Sequence, residues 1–199
     1  MSHYYSEKQD DVKSDEKIIK YQFENHSFKF VTDHGVFSKD HVDRASDILL
    51  RSLKISDHVN RVLDLGCGYG VLGIVIAKIH DLTVTLSDVN ERAINLAKRN
   101  VELNHVQADV MKSRSFDAID NLFDLIVINP PIRIGKQALY DMFKQTNKHL
   151  TSKGECWMVM HKKHGALSAL KYLQQIGHAK VVSKAKGFHV ILFKKTLTT

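Results

Sequence analysis

An apolar run that closes on an acid and then meets glycine at every second position, Val62-Leu63-Asp64-Leu65-Gly66-Cys67-Gly68-Tyr69-Gly70, leaves this chain few ways to fold. Apolar residues resume at helical spacing in Val71-Leu72-Gly73-Ile74-Val75-Ile76-Ala77, so the stretch reads as a buried strand, a tight loop and a helix. Glycine at 66, 68 and 70 lets the backbone take positive φ and lets a ligand reach the main chain, which any Cβ would block. The loop is therefore suited to a nucleotide-like ligand. Two frames compete for it. The dinucleotide pattern G-x-G-x-x-G, begun directly after the strand, needs glycine at 71, where the chain has Val71; begun at Gly68 it is satisfied through Gly73 but leaves Asp64 unexplained. The pattern acid-x-G-x-G-x-G uses Asp64, Gly66, Gly68 and Gly70 together, and an anion there suits a ligand bearing an ammonium and a sulfonium but would repel a pyrophosphate.

From Arg61 onward strands and helices alternate, the sign of an α/β fold with a parallel sheet covered by helices on both faces. The pattern predicts strands at 61–65, 82–87, 105–108, 123–128 and 154–160, and helices near 71–79, 90–103, 136–150 and 165–176. Segments 179–184 and 188–195 lie too close for a crossover helix, so they should form an antiparallel hairpin through Lys184-Ala185-Lys186-Gly187 at one edge of a seven-stranded sheet. Residues 1–20 read as a flexible N-terminus, polar and aperiodic to Lys17, ahead of a single domain at 21–199. Within it, a hairpin and capping loop occupy 21–53 and the Rossmann-like core 54–199. Tyr21 to Glu24 and Phe28 to Val31 alternate around Asn25-His26 as a hairpin does, and Asp43 to Leu53 has helical spacing. In the loop between them Phe37 is either a stacking surface for a base or adenine, or a plug for the core.

The chain's 43% hydrophobic and 26% charged residues fit one globular domain with a sizeable core. No apolar run reaches membrane-spanning length and no signal-peptide core opens the chain, so a soluble cytoplasmic protein with no membrane partner is expected. Cys67 and Cys156 have no disulfide or metal-ligand spacing, nor do the 12 histidines, and no metal is expected. The net charge of +7 is uneven: no acid follows Glu155, while eight lysines do. Such a surface attracts a polyanion such as RNA; equally, scattered lysines keep edge strands soluble.

Asp88 closes the second strand about 20 residues past the glycines, where an acid accepts hydrogen bonds from both ribose hydroxyls of an adenosine, in either frame. Asp109, after the expected third strand, is either an N-cap or an acid facing an adenine amine. The fourth strand runs into Asn129-Pro130-Pro131-Ile132. Two prolines cannot continue a strand, and Pro131 holds Pro130 extended, which fixes the Pro130 carbonyl beside the Asn129 amide oxygen. Two aimed acceptors with no base suit methylation of a planar amine: accepting both N–H hydrogens favours a pyramidal nitrogen whose lone pair points at the methyl group.

The glycine loop resembles motif I of class I S-adenosylmethionine-dependent methyltransferases, and Asn129-Pro130-Pro131-Ile132 resembles motif IV of their amino-methyltransferases, where the fourth residue is usually Tyr or Phe. With Gly35-Val36-Phe37-Ser38, Asp43, Gly135-Lys136 and His161-Lys162-Lys163-His164-Gly165-Ala166, the set is similar over roughly residues 20 to 195 to the small-domain methyltransferase family, which includes the catalytic half of bacterial 16S ribosomal RNA guanine-N2 methyltransferases. The resemblance implies a Rossmann-like sheet with a C-terminal antiparallel hairpin and S-adenosylmethionine as cofactor, held by Asp64, Gly66, Gly68, Gly70, Asp88, Asp109 and Asn129. It implies catalysis by Asn129, Pro130 and Pro131 on a guanine amine of RNA, in ribosomal RNA or a small-subunit particle, with Phe37, Ile132, Arg133, Lys136, Lys162 and Lys163 toward the substrate. The rival readings are a protein glutamine or DNA adenine as acceptor, a non-catalytic RNA-binding module, and a nicotinamide-dependent oxidoreductase. The sequence leaves the modified nucleotide and the oligomeric state open.

Overall fold

Strand β1 (Lys17–Phe23) pairs antiparallel with β2 (His26–Thr32), and α1 (Arg44–Ser52) follows. Alternation then runs β3 (Arg61–Leu65), α2 (Val71–His80), β4 (Thr83–Asp88), α3 (Glu91–Leu103), β5 (Ala108–Lys112), β6 (Phe123–Ile128), α4 (Lys136–His149), β7 (Leu150–His161), a 3-10 turn (Lys162–His164), α5 (Ala166–Ile176), β8 (Gly177–Ala185) and β9 (Phe188–Lys195). These elements come from a computed structural model that describes residues 13–36, 38–131 and 134–196. The seven-stranded sheet has the order β5-β4-β3-β6-β7-β9-β8, with β4/β5 and β6/β7 parallel and β9 antiparallel to both neighbours. The expected mixed sheet with its C-terminal hairpin is what the chain forms.

The chain divides into two units, residues 1–43 with 64–118, and 44–63 with 119–199. The β1–β2 hairpin belongs with the glycine loop, and α1 belongs with β6 to β9.

In the first unit α2 is apolar on nearly every side, and Val71 to Ile76 are all buried. Gly73 allows that helix to lie close: a Cβ there would stand 2.9 Å from Leu86 Cγ and 3.2 Å from Asp64 Cβ. Gly73 thus has a packing reason, independent of any dinucleotide frame. Helix α3 starts where Asn90 accepts hydrogen bonds from the Arg92 and Ala93 amides, at 2.9 and 3.3 Å. It ends in a Schellman pair, His105 N–H to Glu102 C=O and Val106 N–H to Val101 C=O, with His105 at φ +52°. That closure uses residues 104–107 as a turn, so β5 begins at Ala108 and not at the predicted 105.

The free edge of β2 is paired by side chains. Asn100 Oδ1 accepts the Val31 N–H at 2.7 Å and its Nδ2 donates to Val31 C=O at 3.0 Å; Asn104 does the same for Lys29, at 3.1 and 2.7 Å. Residues four apart on a helix and two apart on a strand repeat at similar distances, about 6 and 7 Å, so two amides of α3 replace a neighbouring strand. Asn100 Nδ2 also reaches the Tyr69 carbonyl in the glycine loop, at 2.9 Å. Asn100→Leu strands three buried backbone groups and should lower unfolding free energy in urea by about 3 kcal/mol or more, with the Val31 amide losing exchange protection. A loss under about 1 kcal/mol would refute this role.

In the second unit α1 packs on β7 and β9, α4 on α5 and β7, and α5 on β8 and β9. The core strands β6 and β7 carry Leu125 to Ile128 and Cys156 to Val159 inward, all fully buried or nearly so.

Candidate functional site

In the first unit the glycine loop hangs from the end of β4. Gly66 and Cys67 N–H groups both donate to Ser87 C=O, at 2.8 and 2.9 Å, and Gly68 N–H donates to Asp88 Oδ2 at 2.9 Å. Gly66 and Gly68 sit at φ +72° and +56°, and a Cβ on either would meet nothing within 4 Å. The space beside both backbones is open, as close approach by a ligand requires. Gly70, at φ +98°, is different: a Cβ would lie 2.9 Å from Ile74 Cδ1 and Leu86 Cδ2, so this glycine serves the turn into α2.

Asp64 is 1% exposed. Its Oδ2 accepts the Gly73 N–H at 2.8 Å, which ties β3 to the first turn of α2, while Oδ1 is buried with no partner among the described residues. Burial raises its carboxyl to about 7, the Gly73 bond works against that, and the nearby Asp88 charge adds to it. Asp88 accepts from the backbone N–H groups of Gly68 and Asn90 (2.9 and 2.8 Å), with Val89 a further backbone donor, and burial raises its carboxyl against all three. A carboxylate has about four acceptor positions, so Asp88 keeps acceptor capacity for a hydroxyl donor. The Cys67 thiol is pushed well up by burial and by Asp64 and Asp88, so it stays protonated.

An open glycine cradle, a buried carboxylate oxygen lacking a partner, and a carboxylate that can take hydroxyls fit a cationic nucleoside ligand. Asp109 does not join them. It is the second residue of β5, exposed, and level with Thr85, whereas Asp88 is level with Lys112. Three residues of strand, about 10 Å, separate those levels. The residue that follows β5 is Ser113, buried, its N–H on the Asp88 carbonyl at 2.9 Å.

In the second unit Asn129-Pro130-Pro131 follows β6 directly, with Pro130 buried and its two neighbours half-buried. Asn129 Nδ2 donates to Ser46 Oγ in α1 at 3.1 Å. That bond turns the amide nitrogen toward α1; Oδ1 is the side chain's acceptor. Lys136 opens α4, exposed, with Nζ 5.5 Å from the Tyr140 ring centre, and Lys162 and Lys163 form the exposed 3-10 turn after β7. Phe37, Ile132 and Arg133 lie outside the described residues.

Sequence reasoning missed Ser46, a serine inside an ordinary amphipathic helix that nothing local distinguishes. It also passed over Asn90, whose place just before the predicted α3 is an N-cap signal. Asn90 joins the Asp88 carboxylate to the loop before α1, since its Nδ2 lies 3.5 Å from the Gly35 carbonyl. Tyr69 is buried, donates to Ser38 C=O at 3.3 Å and meets Phe30 at 5.8 Å between ring centres.

The chain is 39% identical to YbxB of Bacillus subtilis, an uncharacterized protein, over 97% of this chain and 98% of that one. It is 37% identical to ribosomal RNA small subunit methyltransferase C of Erwinia tasmaniensis over 63% of this chain and 38% of that one, so it spans under half of that relative's length. Among solved structures, the Thermus thermophilus 16S rRNA N2 G1207 methyltransferase, in complex with AdoMet and guanosine, has the same fold at TM-score 0.81 and 23% identity, over 91% of this chain and 51% of that one. No described helix is long and apolar enough to cross a membrane. The profile described as Methyltransferase small domain matches residues 27–192. With nearly the whole chain inside that profile, and with Asp64 and Gly73 both accounted for without a dinucleotide frame, the protein belongs to the methyltransferase small-domain family, whose methyl donor is S-adenosylmethionine.

Proposed function

We propose that this protein methylates the exocyclic amine of a guanine in RNA, in small-subunit ribosomal RNA of the cytoplasm. The observation that carries the reading is Asn129, placed directly after β6, followed by two prolines, and turned by Ser46 so that its amide oxygen is an acceptor. In this reading Gly66 and Gly68 give the cofactor contact with backbone, Asp64 supplies the negative charge that its cationic end needs, and Asp88 takes the ribose hydroxyls. S-adenosylmethionine, when bound, supplies a methyl group on a sulfonium.

Asn129 Oδ1 and the Pro130 carbonyl accept the two N–H hydrogens of the amine, which draws its lone pair out of conjugation and aims it. The methylated nitrogen is cationic and releases a proton readily, so the loop needs no general base. The target base must leave its stack to bring the amine to these acceptors. In this reading Lys136, Lys162 and Lys163, exposed cations, meet phosphates. Similarity to ribosomal RNA small subunit methyltransferases supports the substrate class.

The test is transfer of labelled methyl from S-adenosylmethionine to small-subunit RNA and particles from cells lacking this protein, followed by nucleoside analysis. Label in N2-methylguanosine is expected. Label in another nucleoside keeps the chemistry and overturns the base; label only in protein glutamine or DNA adenine overturns the substrate class. No transfer to any acceptor, with cofactor binding intact, sinks the reading.

A further inference from the structure

The eight lysines after Glu155 are not scattered. Lys194 Nζ pairs with Glu155, midway along β7, at 2.5 Å, and Lys195 Nζ donates to Leu150 C=O, at its amino end, at 3.3 Å. Lys171 lies on α5, and Lys180 sits midway along edge strand β8, opposite Leu192. The other four, Lys162, Lys163, Lys184 and Lys186, gather where β7 ends. The Lys162 N–H donates to Gly187 C=O at 2.8 Å, and His161, the last residue of β7, is in register with Phe188, the first of β9. All four are exposed, and none forms an ion pair among the described residues.

The hairpin turn supplies a second, independent sign. Ala185 and Phe188 are the last pair, so Lys186-Gly187 is a two-residue loop, with φ +47° and +84°. Positive φ at both places is the type I′ geometry that favours Asn-Gly or Asp-Gly. A lysine held there is conformationally unfavourable, and its long cation offers the turn nothing in return. The turn is also fixed from behind, since a Cβ on Gly187 would come within 2.6 Å of His161 Nε2. Planar rings interleave with the charges: His161 meets Phe188 edge-on at 4.9 Å and His164 at 5.2 Å. Burial, then His164, Lys163, Lys162 and His189, hold the His161 imidazole below its ordinary range, in keeping with a cationic neighbourhood.

This cluster and Asn129 lie in the same unit, at the same end of the sheet. β6 and β7 are parallel with Ile128 level with Met158, so Asn129 follows one strand as His161 closes the next. The turn lies between two and three strand spacings from β6, about 10 to 14 Å to the side, and a few residues beyond it. That is the reach of the nucleotides flanking a base held at Asn129. Resting on the reading that RNA is the acceptor, we propose that the 3-10 turn and the β8–β9 turn form one phosphate-gripping ridge, Lys162, Lys163, Lys184 and Lys186, that holds the single strand beside the target base. Exposed cations with interleaved rings suit a single-stranded nucleic acid, whose phosphates and bases they meet in alternation.

The experiment measures binding of fluorescein-labelled poly(U) by the full chain across a salt series. Each phosphate contact on a single strand contributes about 0.7 to the slope of log affinity against log salt. The variant with Lys162, Lys163 and Lys184 changed to Gln and Lys186→Asn should therefore have a slope shallower by about 3, while Lys180→Gln keeps the wild-type slope. Lys186→Asn alone should flatten the slope by about 0.7 and yet raise the melting temperature by about 2 °C, because Asn suits the turn better. A merely structural lysine would not move those two readings in opposite directions. Wild-type slope in the fourfold variant, an equal loss in Lys180→Gln, or no wild-type binding at low salt overturns the ridge. Methyl transfer to ribosomal RNA, assayed in parallel on wild type, reports separately on the proposed reaction.

Discussion

Asn129→Ala should lower kcat for methyl transfer by about 100- to 1,000-fold, or roughly 3 to 4 kcal/mol of transition-state stabilisation, the usual cost of losing one aimed acceptor or donor at a reacting centre. The dissociation constant for S-adenosylmethionine should change by no more than about threefold, because the glycine loop, Asp64 and Asp88 are untouched. Ser46→Ala tests the same geometry from behind: the donor of Asn129 loses its 3.1 Å partner, and kcat should fall by about tenfold with little change in KM. Cofactor titration by calorimetry and single-turnover kinetics separate the two quantities. Full activity in Asn129→Ala would dispose of the amine grip, whatever the substrate proves to be.

The second large effect concerns Asp64, and it has opposite signs on stability and binding. Its folded carboxyl, raised by burial to about 7, lies above the value of 3.8 for an unburied aspartate. Between those pH values the folded protein binds a proton that the unfolded chain has released. The stability tied to this group is therefore present in full below about pH 4 and is lost as pH rises through about 7, by an amount of order 4 kcal/mol. Asp64→Asn removes the buried charge while its amide oxygen can still accept the Gly73 N–H, so it should stabilise the protein at pH 8 by about 1 to 3 kcal/mol in urea and hardly at all below about pH 4. The same change should weaken S-adenosylmethionine by tenfold or more at pH 8, since the cationic end of the ligand loses its anion. Wild-type affinity should rise with pH up to about 7 and then level, whereas the variant should be flat across that range. Parallel pH profiles for the two proteins would show that Asp64 acts only by tying β3 to α2.

The parts legible in the sequence are those whose physics is local. Glycine at 66, 68 and 70 between an apolar run and a helical one, and the chain's only two prolines placed side by side after a buried strand, constrain backbone conformation at the residues themselves. The order of strands and helices and the closing hairpin follow from periodicity in the same way. Boundaries failed where a distant or competing contact decided them. The strand β5 starts late because His105 closes a Schellman turn, and this moves Asp109 away from the level of Asp88.

Side chains from far along the chain supplied the rest. Ser46 orients Asn129 from 83 positions away, Asn100 and Asn104 pair with β2 across 69 and 75, and four of eight lysines meet because β9 runs back along β7. None of these has a local signature: a serine in a helix, an asparagine on its buried face and a lysine near a turn read alike wherever they occur. Thus the chain alone determined the fold class, the glycine loop and the Asn-Pro-Pro motif that ends β6, because each is written in contiguous residues. Only tertiary structure decided which groups hold that motif in place and where positive charge collects, because pairing register and helix packing bring together residues the sequence keeps apart.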